Sequence, residues 1–150
     1  MNQKDLSVSY EIRRVDTRDV LVVHLKGSVD AHTFGLFEEQ ISALLAQGSH
    51  HLLLDFQGLD YINSTGLGFL LGLSRQMDEQ HRKLVIANMP DKIHHIFDLL
   101  GIASLMGTFA EEQEALAALA TDLRQEQADD SENGVLPRPE TSADGKKVWL

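Results

Sequence analysis

A chain of 150 residues, 43% of them hydrophobic, is long enough for one domain with its own core and short for two. Its formal charge of −10 and pI near 5.0 create a field that repels phosphate backbones and anionic lipid, which argues against direct nucleic-acid binding or a membrane-surface role. The lack of cysteine removes disulfides, thiolate catalysis and cysteine-ligated metal sites, and no run of 18 apolar residues or signal-peptide pattern appears, so a cytoplasmic protein without membrane insertion is expected.

Val8, Tyr10 and Ile12 alternate with polar neighbours, and after Asp16-Thr17-Arg18-Asp19 comes the run Val20-Leu21-Val22-Val23-His24-Leu25. This predicts an antiparallel strand pair whose second member is buried on both faces. From Thr33 the apolar spacing changes to three and four residues through Phe34, Phe37, Ile41, Leu44 and Leu45, a helix with Thr33 as N-cap and Gly48 as its stop. Leu52-Leu53-Leu54-Asp55-Phe56 has the continuous apolar character of a central parallel strand and leads into a loop from Gly58 to Asn63. A second helix follows from near Thr65 to about Gln80, and then the buried strand Leu84-Val85-Ile86-Ala87. Pro90-Asp91 opens a third helix carrying Ile93, Ile96, Phe97 and Leu100, closed by Gly101. Leu105 to Phe109 reads as a short edge strand, and Leu116, Leu119 and Leu123 place an apolar stripe on a last helix from about Glu111.

The alternation of strands and helices implies an α/β domain over residues 1–124 with a mainly parallel sheet and right-handed crossovers. Residues 125–150 hold two of the three prolines and no apolar period, the composition of a disordered tail with Val148-Trp149-Leu150 as its one apolar patch.

The chemistry concentrates between Asp60 and Gly72, at a strand-to-helix junction. Asn63, Ser64 and Thr65 are all good N-cap residues, and starting a helix is a sufficient role for them. Gly66, Gly68 and Gly72 fall in its first turns, where each glycine costs about 0.8–1 kcal/mol relative to alanine. Gly68 and Gly72 are four apart and share a face, which lets another backbone approach, either the sheet beneath or a partner. A helix start tolerates phosphate on Ser64, because its N–H groups and dipole favour an anion, while the modification adds about −1.5 to −2 charges to the surface. Ser64 as a catalytic nucleophile fits less well, since no histidine–carboxylate relay can be assigned to it.

Two stretches about thirty residues apart, Gly27-Ser28-Val29-Asp30-Ala31-His32-Thr33 and Ile62-Asn63-Ser64-Thr65-Gly66-Leu67-Gly68, resemble the STAS domain of bacterial anti-sigma-factor antagonists. The resemblance runs over about residues 6–122 and includes the turn Ala87-Asn88-Met89-Pro90 and the helix end Phe97-Asp98-Leu99-Leu100-Gly101. It implies a four- or five-stranded mixed sheet with about four helices packed mostly on one side. It also implies an anti-sigma factor that doubles as a serine kinase, binding the chain when Ser64 is unmodified, and a metal-dependent phosphatase that reverses the phosphorylation. By the same resemblance Asp30, Asn63, Ser64, Thr65, Gly66 and Gly68 form the partner-binding surface. Asn63 departs from the family pattern, in which an aspartate precedes the serine, and so removes a charge beside the phosphoacceptor.

Asp30 also has a purely local role open to it, as a turn residue ahead of Thr33. The adjacent pairs His50-His51 and His94-His95 point apart in a strand or lie about 100° apart on a helix, so no histidine metal set is expected, and solvated or half-buried rings are. No cofactor and no enzymatic activity are expected. Two other classes compete with the switch: a constitutive STAS adaptor, similar to the subunits of membrane lipid-transport complexes, and a small nucleotide- or anion-binding domain using the helix N-terminus, for which a glycine-rich phosphate loop with lysine is missing.

Overall fold

In the computed structural model, which describes residues 5–48 and 50–121, the first two apolar runs form β1 (Leu6–Val15) and β2 (Arg18–Val29). They pair antiparallel from Leu6 opposite Gly27 to Val15 opposite Arg18, across a tight turn in which Asp16 takes a left-handed backbone (φ 54°). Then come α1 (Phe34–Leu45), β3 (His51–Ile62), α2 (Ser64–Glu79), β4 (Leu84–Ala87), α3 (Asp91–Leu100), a single 3-10 turn (Ala103–Leu105) and β5 (Gly107–Phe109). A final helical stretch covers 112–121. The strands lie in the order β1-β2-β3-β4-β5, with β2 to β5 mutually parallel. The chain divides into two units, 1–116 and 117–150, and the sheet with its three flanking helices belongs to the first. The tail expected over 125–150 lies outside the described residues.

Period-two alternation sorts the strands into two buried faces. Leu21, Val23 and Leu25 of β2, Leu52, Leu54 and Phe56 of β3, and Leu84 and Ile86 of β4 share one core with Phe37 and Ile41 of α1, Leu67, Leu70 and Met77 of α2, and Ile93 and Phe97 of α3. Each such side chain contributes about 1.5–3 kcal/mol by leaving water. Phe69 of α2 meets the rings of Phe34 and Phe37 edge-on, at centroid distances of 6.0 and 5.6 Å, which fixes α1 against α2. The alternate residues Val20, Val22, Leu53 and Val85 are buried on the other face, as the continuous runs required.

Four expectations need correction. The segment Gly58 to Asn63 is mostly strand: β3 continues to Ile62 because β2 also continues, through Lys26-Gly27-Ser28-Val29, and register shifts absorb the irregular stretch. Only Leu59 and Ile62 of that extension face inward, so its pattern reads as loop. Gly48 does not stop α1, which ends at Leu45 with Ala46 as a right-handed C-cap. Leu100 is 58% exposed, so the apolar stripe of α3 narrows to Ile93, Phe97 and the partly buried Ile96 packed against the core, whereas Gly101 closes that helix in the left-handed region (φ 70°) as expected. His51 is neither solvated nor half-buried but 2% exposed, because it opens the central strand.

Candidate partner-docking site

The two singled-out stretches meet at one end of the sheet. β2 and β3 are parallel neighbours, their last residues Val29 and Ile62 lie opposite each other, and the Asn63 N–H donates to the Val29 carbonyl at 2.9 Å. Asp30 and Asn63 therefore leave adjacent strands side by side.

The loop after β2 is built by side chains that replace backbone pairing. Asp30 Oδ1 accepts the N–H groups of His32 (2.9 Å) and Thr33 (3.1 Å), and the Asp30 carbonyl accepts from Phe34 N–H at 2.8 Å. Thr33 is the N-cap residue of α1, yet its hydroxyl makes no cap bond: it donates to the Ser28 carbonyl at 2.6 Å and accepts the Asp30 N–H at 2.9 Å. Burial disfavours the charge of Asp30, but the hydrogen bonds from Thr33 and His32 outweigh it and hold its carboxyl below the ordinary value. Asp30 thus performs the turn role that its sequence position offered. Gly27 is obligatory here: its φ is +111°, and a Cβ on it would lie 1.9 Å from the Asp5 carbonyl oxygen.

At the start of α2 the N-cap is Asn63, in extended backbone, and its Oδ1 accepts the Gly66 N–H at 2.8 Å. Ser64 is the first helical residue, and both Ser64 and Thr65 are exposed. The glycines divide by role. Gly66 is buried, and a Cβ there would come within 2.9 Å of both Val29 Cγ1 and Ile62 Cγ1, so its missing side chain lets the helix start rest on the two strand ends. Gly68 and Gly72 have nothing within 4 Å of an added Cβ and are exposed. The sheet is therefore not what approaches them. With Ser64 they occupy positions i, i+4 and i+8, one strip of small residues along the open face of α2.

These features are those of a known domain: residues 11–115 match the STAS domain. The chain belongs to the STAS domain family. It is 26% identical over 113 residues to an anti-sigma F factor antagonist of Paenibacillus polymyxa, an alignment that covers 75% of this chain and 97% of that one. Among solved structures it is similar to the Bacillus cell fate determinant SpoIIAA in its phosphorylated form, with 25% identity, TM-score 0.54 and coverage of 74% of this chain and 99% of that one. It also shares its fold with an anti-sigma factor antagonist from Mycobacterium paratuberculosis, at 21% identity and TM-score 0.62, over 75% of this chain and 93% of that one. The expected STAS fold, a four- or five-stranded mixed sheet with about four helices mostly on one side, is observed with five strands, α1, α2 and α3 sharing the core of one face.

A second polar group lies on the opposite face of the STAS sheet and escaped the sequence reading. His24 of β2, buried Asp55 of β3 and Glu112 converge, with His24 Nδ1 3.1 Å from Asp55 Oδ2 and 3.5 Å from Glu112 Oε2. The hydrogen bond with Asp55, together with burial, raises the Glu112 pKa; burial opposes the charge of Asp55, but the bonds from Glu112, Gln57 and Asn88 outweigh it and lower the Asp55 pKa. The available signal was Asp55 itself, a charge inside an otherwise apolar strand; residues 24, 55 and 112 are too far apart for any spacing rule to join them. His51 is a separate case: its Nδ1 accepts the Lys83 N–H at 2.9 Å, and burial, with Arg18, Lys83 and Arg82 nearby, lowers its pKa to about 4. Among the described residues, no helix is long and apolar enough to cross a membrane.

Proposed function

We propose that this STAS domain is a cytoplasmic anti-sigma-factor antagonist that binds its anti-sigma factor through the Ser64 end of α2 and is released by phosphorylation of Ser64. The observation that carries the reading is the division of labour at that end. Asn63 and Gly66 hold the helix start on the strand ends, while Ser64, Gly68 and Gly72 are left exposed in one strip. A hydroxyl whose removal or modification does not touch the packing is what a reversible switch needs. The antagonist name of the Paenibacillus relative and the phosphorylated form of SpoIIAA support the same reading.

Phosphate on Ser64 would sit over the first N–H groups of α2 and at the positive end of the helix dipole, an interaction worth about 0.3–1 kcal/mol in favour of the folded state. The switch therefore acts at the interface and not on the fold. A doubly charged group pressed against a partner surface without a matching cation costs several kcal/mol, and each 1.4 kcal/mol weakens binding tenfold. Gly68 and Gly72 would admit the partner's backbone to the helix surface, and Asp30, Asn63 and Thr65 would border the contact. Asn63 in place of aspartate keeps the cap but leaves the acceptor with one negative charge fewer beside it, which bears on kinase choice. Ser64 serves as the hydroxyl that a kinase phosphorylates and not as the nucleophile of a catalytic relay in this chain: among the described residues, the histidine–carboxylate ion pairs are His24 with Glu11, Asp55 and Glu112, and His94 with Asp98, all on elements other than the start of α2. By the family resemblance, the proposed partner is an anti-sigma factor with serine kinase activity, opposed by a metal-dependent serine phosphatase.

The test is incubation of the purified chain with the candidate kinase and ATP, followed by peptide mass mapping. One phosphoryl group on Ser64 supports the switch. Stable binding without transfer would replace it with a constitutive adaptor.

A further inference from the structure

We propose that His24, Asp55 and Glu112 bind one divalent transition-metal cation of the zinc type, cross-linking β2, β3 and the start of the last helical stretch. One ligand atom from each residue lies within 4.8 Å of the other two, and the distances from His24 Nδ1 are 3.1 Å to Asp55 Oδ2 and 3.5 Å to Glu112 Oε2. In tetrahedral zinc coordination with bonds of about 2.0–2.2 Å, neighbouring ligand atoms stand about 3.4 Å apart. The three side chains are therefore already spaced to receive the ion, with little movement needed.

Groups outside the three ligands hold them in that orientation. Asp55 is 5% exposed, and its far oxygen, Oδ1, accepts from the Gln57 N–H at 2.9 Å and the Asn88 side-chain amide at 3.1 Å, which leaves Oδ2 facing His24. The far nitrogen of His24, Nε2, meets Glu11 Oε2 at 3.2 Å. A carboxylate behind a ligating histidine and hydrogen bonds behind a ligating carboxylate are the supports that metal sites characteristically use. Three carboxylates, Glu11, Asp55 and Glu112, gather around His24, and Arg13 lies 3.6 Å from Glu112 and 3.3 Å from Glu11. A cavity of about 310 Å³ beside His24 and Asp55, bordered by Ser7, Ser9, Lys26 and Gln57, offers an entry path and room for a water as fourth ligand. One nitrogen and two oxygens suit Zn²⁺, Co²⁺ or Mn²⁺ better than Ca²⁺ or Mg²⁺, which take oxygen ligands in larger number. Nothing in this site depends on Ser64, so the proposal stands apart from the switch.

The experiment is calorimetric titration of Zn²⁺ into the untagged full chain near pH 7.5, with thermal melts in parallel. The expected result is one ion per chain, a higher Tm with zinc, and at least tenfold weaker binding in both His24→Gln and Glu112→Gln. Both substitutions are on partly exposed residues and are expected to leave the fold intact, which the metal-free melt checks. His94→Gln, which alters the separate His94–Asp98 contact, is expected to bind zinc as the wild type does. Absence of binding to the wild type, or binding that survives in His24→Gln and Glu112→Gln, would overturn the site.

Discussion

Alanine at Gly66 and at Gly68, two residues apart in the same helix, is expected to change stability in opposite directions. Both substitutions gain the intrinsic helical preference of alanine over glycine, about 0.8–1 kcal/mol. At Gly68 nothing stands within 4 Å of the new Cβ, so the whole gain remains and Gly68→Ala is stabilised by up to about 1 kcal/mol. At Gly66 the Cβ meets Val29 Cγ1 and Ile62 Cγ1 at 2.9 Å and Ile62 Cδ1 at 3.2 Å. Val29 and Ile62 are buried and β-branched, with stiff χ1 angles and strand backbones locked by pairing, so neither yields easily. Overpacking of this kind costs about 1–3 kcal/mol, which leaves Gly66→Ala up to about 2 kcal/mol less stable than wild type and the two variants about 1–3 kcal/mol apart. Urea unfolding monitored by circular dichroism, read at constant m-value, measures the difference. Equal midpoints, or a Gly68→Ala less stable than wild type, would refute the assignment of Gly66 to packing and Gly68 to open surface. A titration on the same Gly68→Ala protein tests the docking strip: a folded protein with weakened partner binding is the expected outcome.

Asn63→Ala removes the cap on the Gly66 N–H and is expected to cost about 1 kcal/mol in unfolding experiments, whereas Asn63→Asp keeps the acceptor and stays within about 0.5 kcal/mol of wild type. Asp30→Asn retains an oxygen for the His32 and Thr33 N–H groups and should melt near wild type, while Asp30→Ala should melt lower; if Asp30→Asn alone weakens partner binding, the charge itself makes the contact. His51 has a folded-state pKa of about 4, below its unfolded value near 6.5, so the unfolded chain takes up the proton first. Its stability contribution is complete above about pH 6.5 and is lost as the pH falls to about 4, by at most about 3 kcal/mol. His51→Gln should flatten that part of the pH profile, and an unchanged slope would show that His51 is not the group responsible.

Much of the STAS fold was legible because its signals are local. Continuous runs at Val20–Leu25 and Leu84–Ala87, helical spacing from Phe34 to Leu45, and glycine at position 101 each encode their element without help from distant residues. The end of β3 was illegible because Gln57-Gly58-Leu59-Asp60-Tyr61 is strand only through its pairing with β2, a tertiary effect that no window of the sequence contains. Three residues of the site, Asn63, Ser64 and Thr65, could be placed at a helix start, but their ranking could not. All three are capable N-caps, and only the Asn63 Oδ1 bond to Gly66 decides that Ser64 is the first helical residue and exposed. The three glycines look equivalent in sequence and separate only when the atoms around each are known. The His24–Asp55–Glu112 group depends wholly on strand pairing and the return of the chain after β5.

The most direct test of the account compares the unmodified chain with the same chain phosphorylated stoichiometrically on Ser64, each titrated against the cognate anti-sigma factor, with Ser64→Asp, Ser64→Ala and Thr65→Ala as companions. Superimposable circular dichroism spectra are expected, with affinity reduced about a hundredfold or more by the phosphate (about 2.7 kcal/mol) and substantially by Ser64→Asp, and near wild-type binding by Ser64→Ala. Thr65→Ala should still accept the phosphate. Equal affinity of the phosphorylated and unmodified chains, or a phosphate mapped to Thr65, would contradict it.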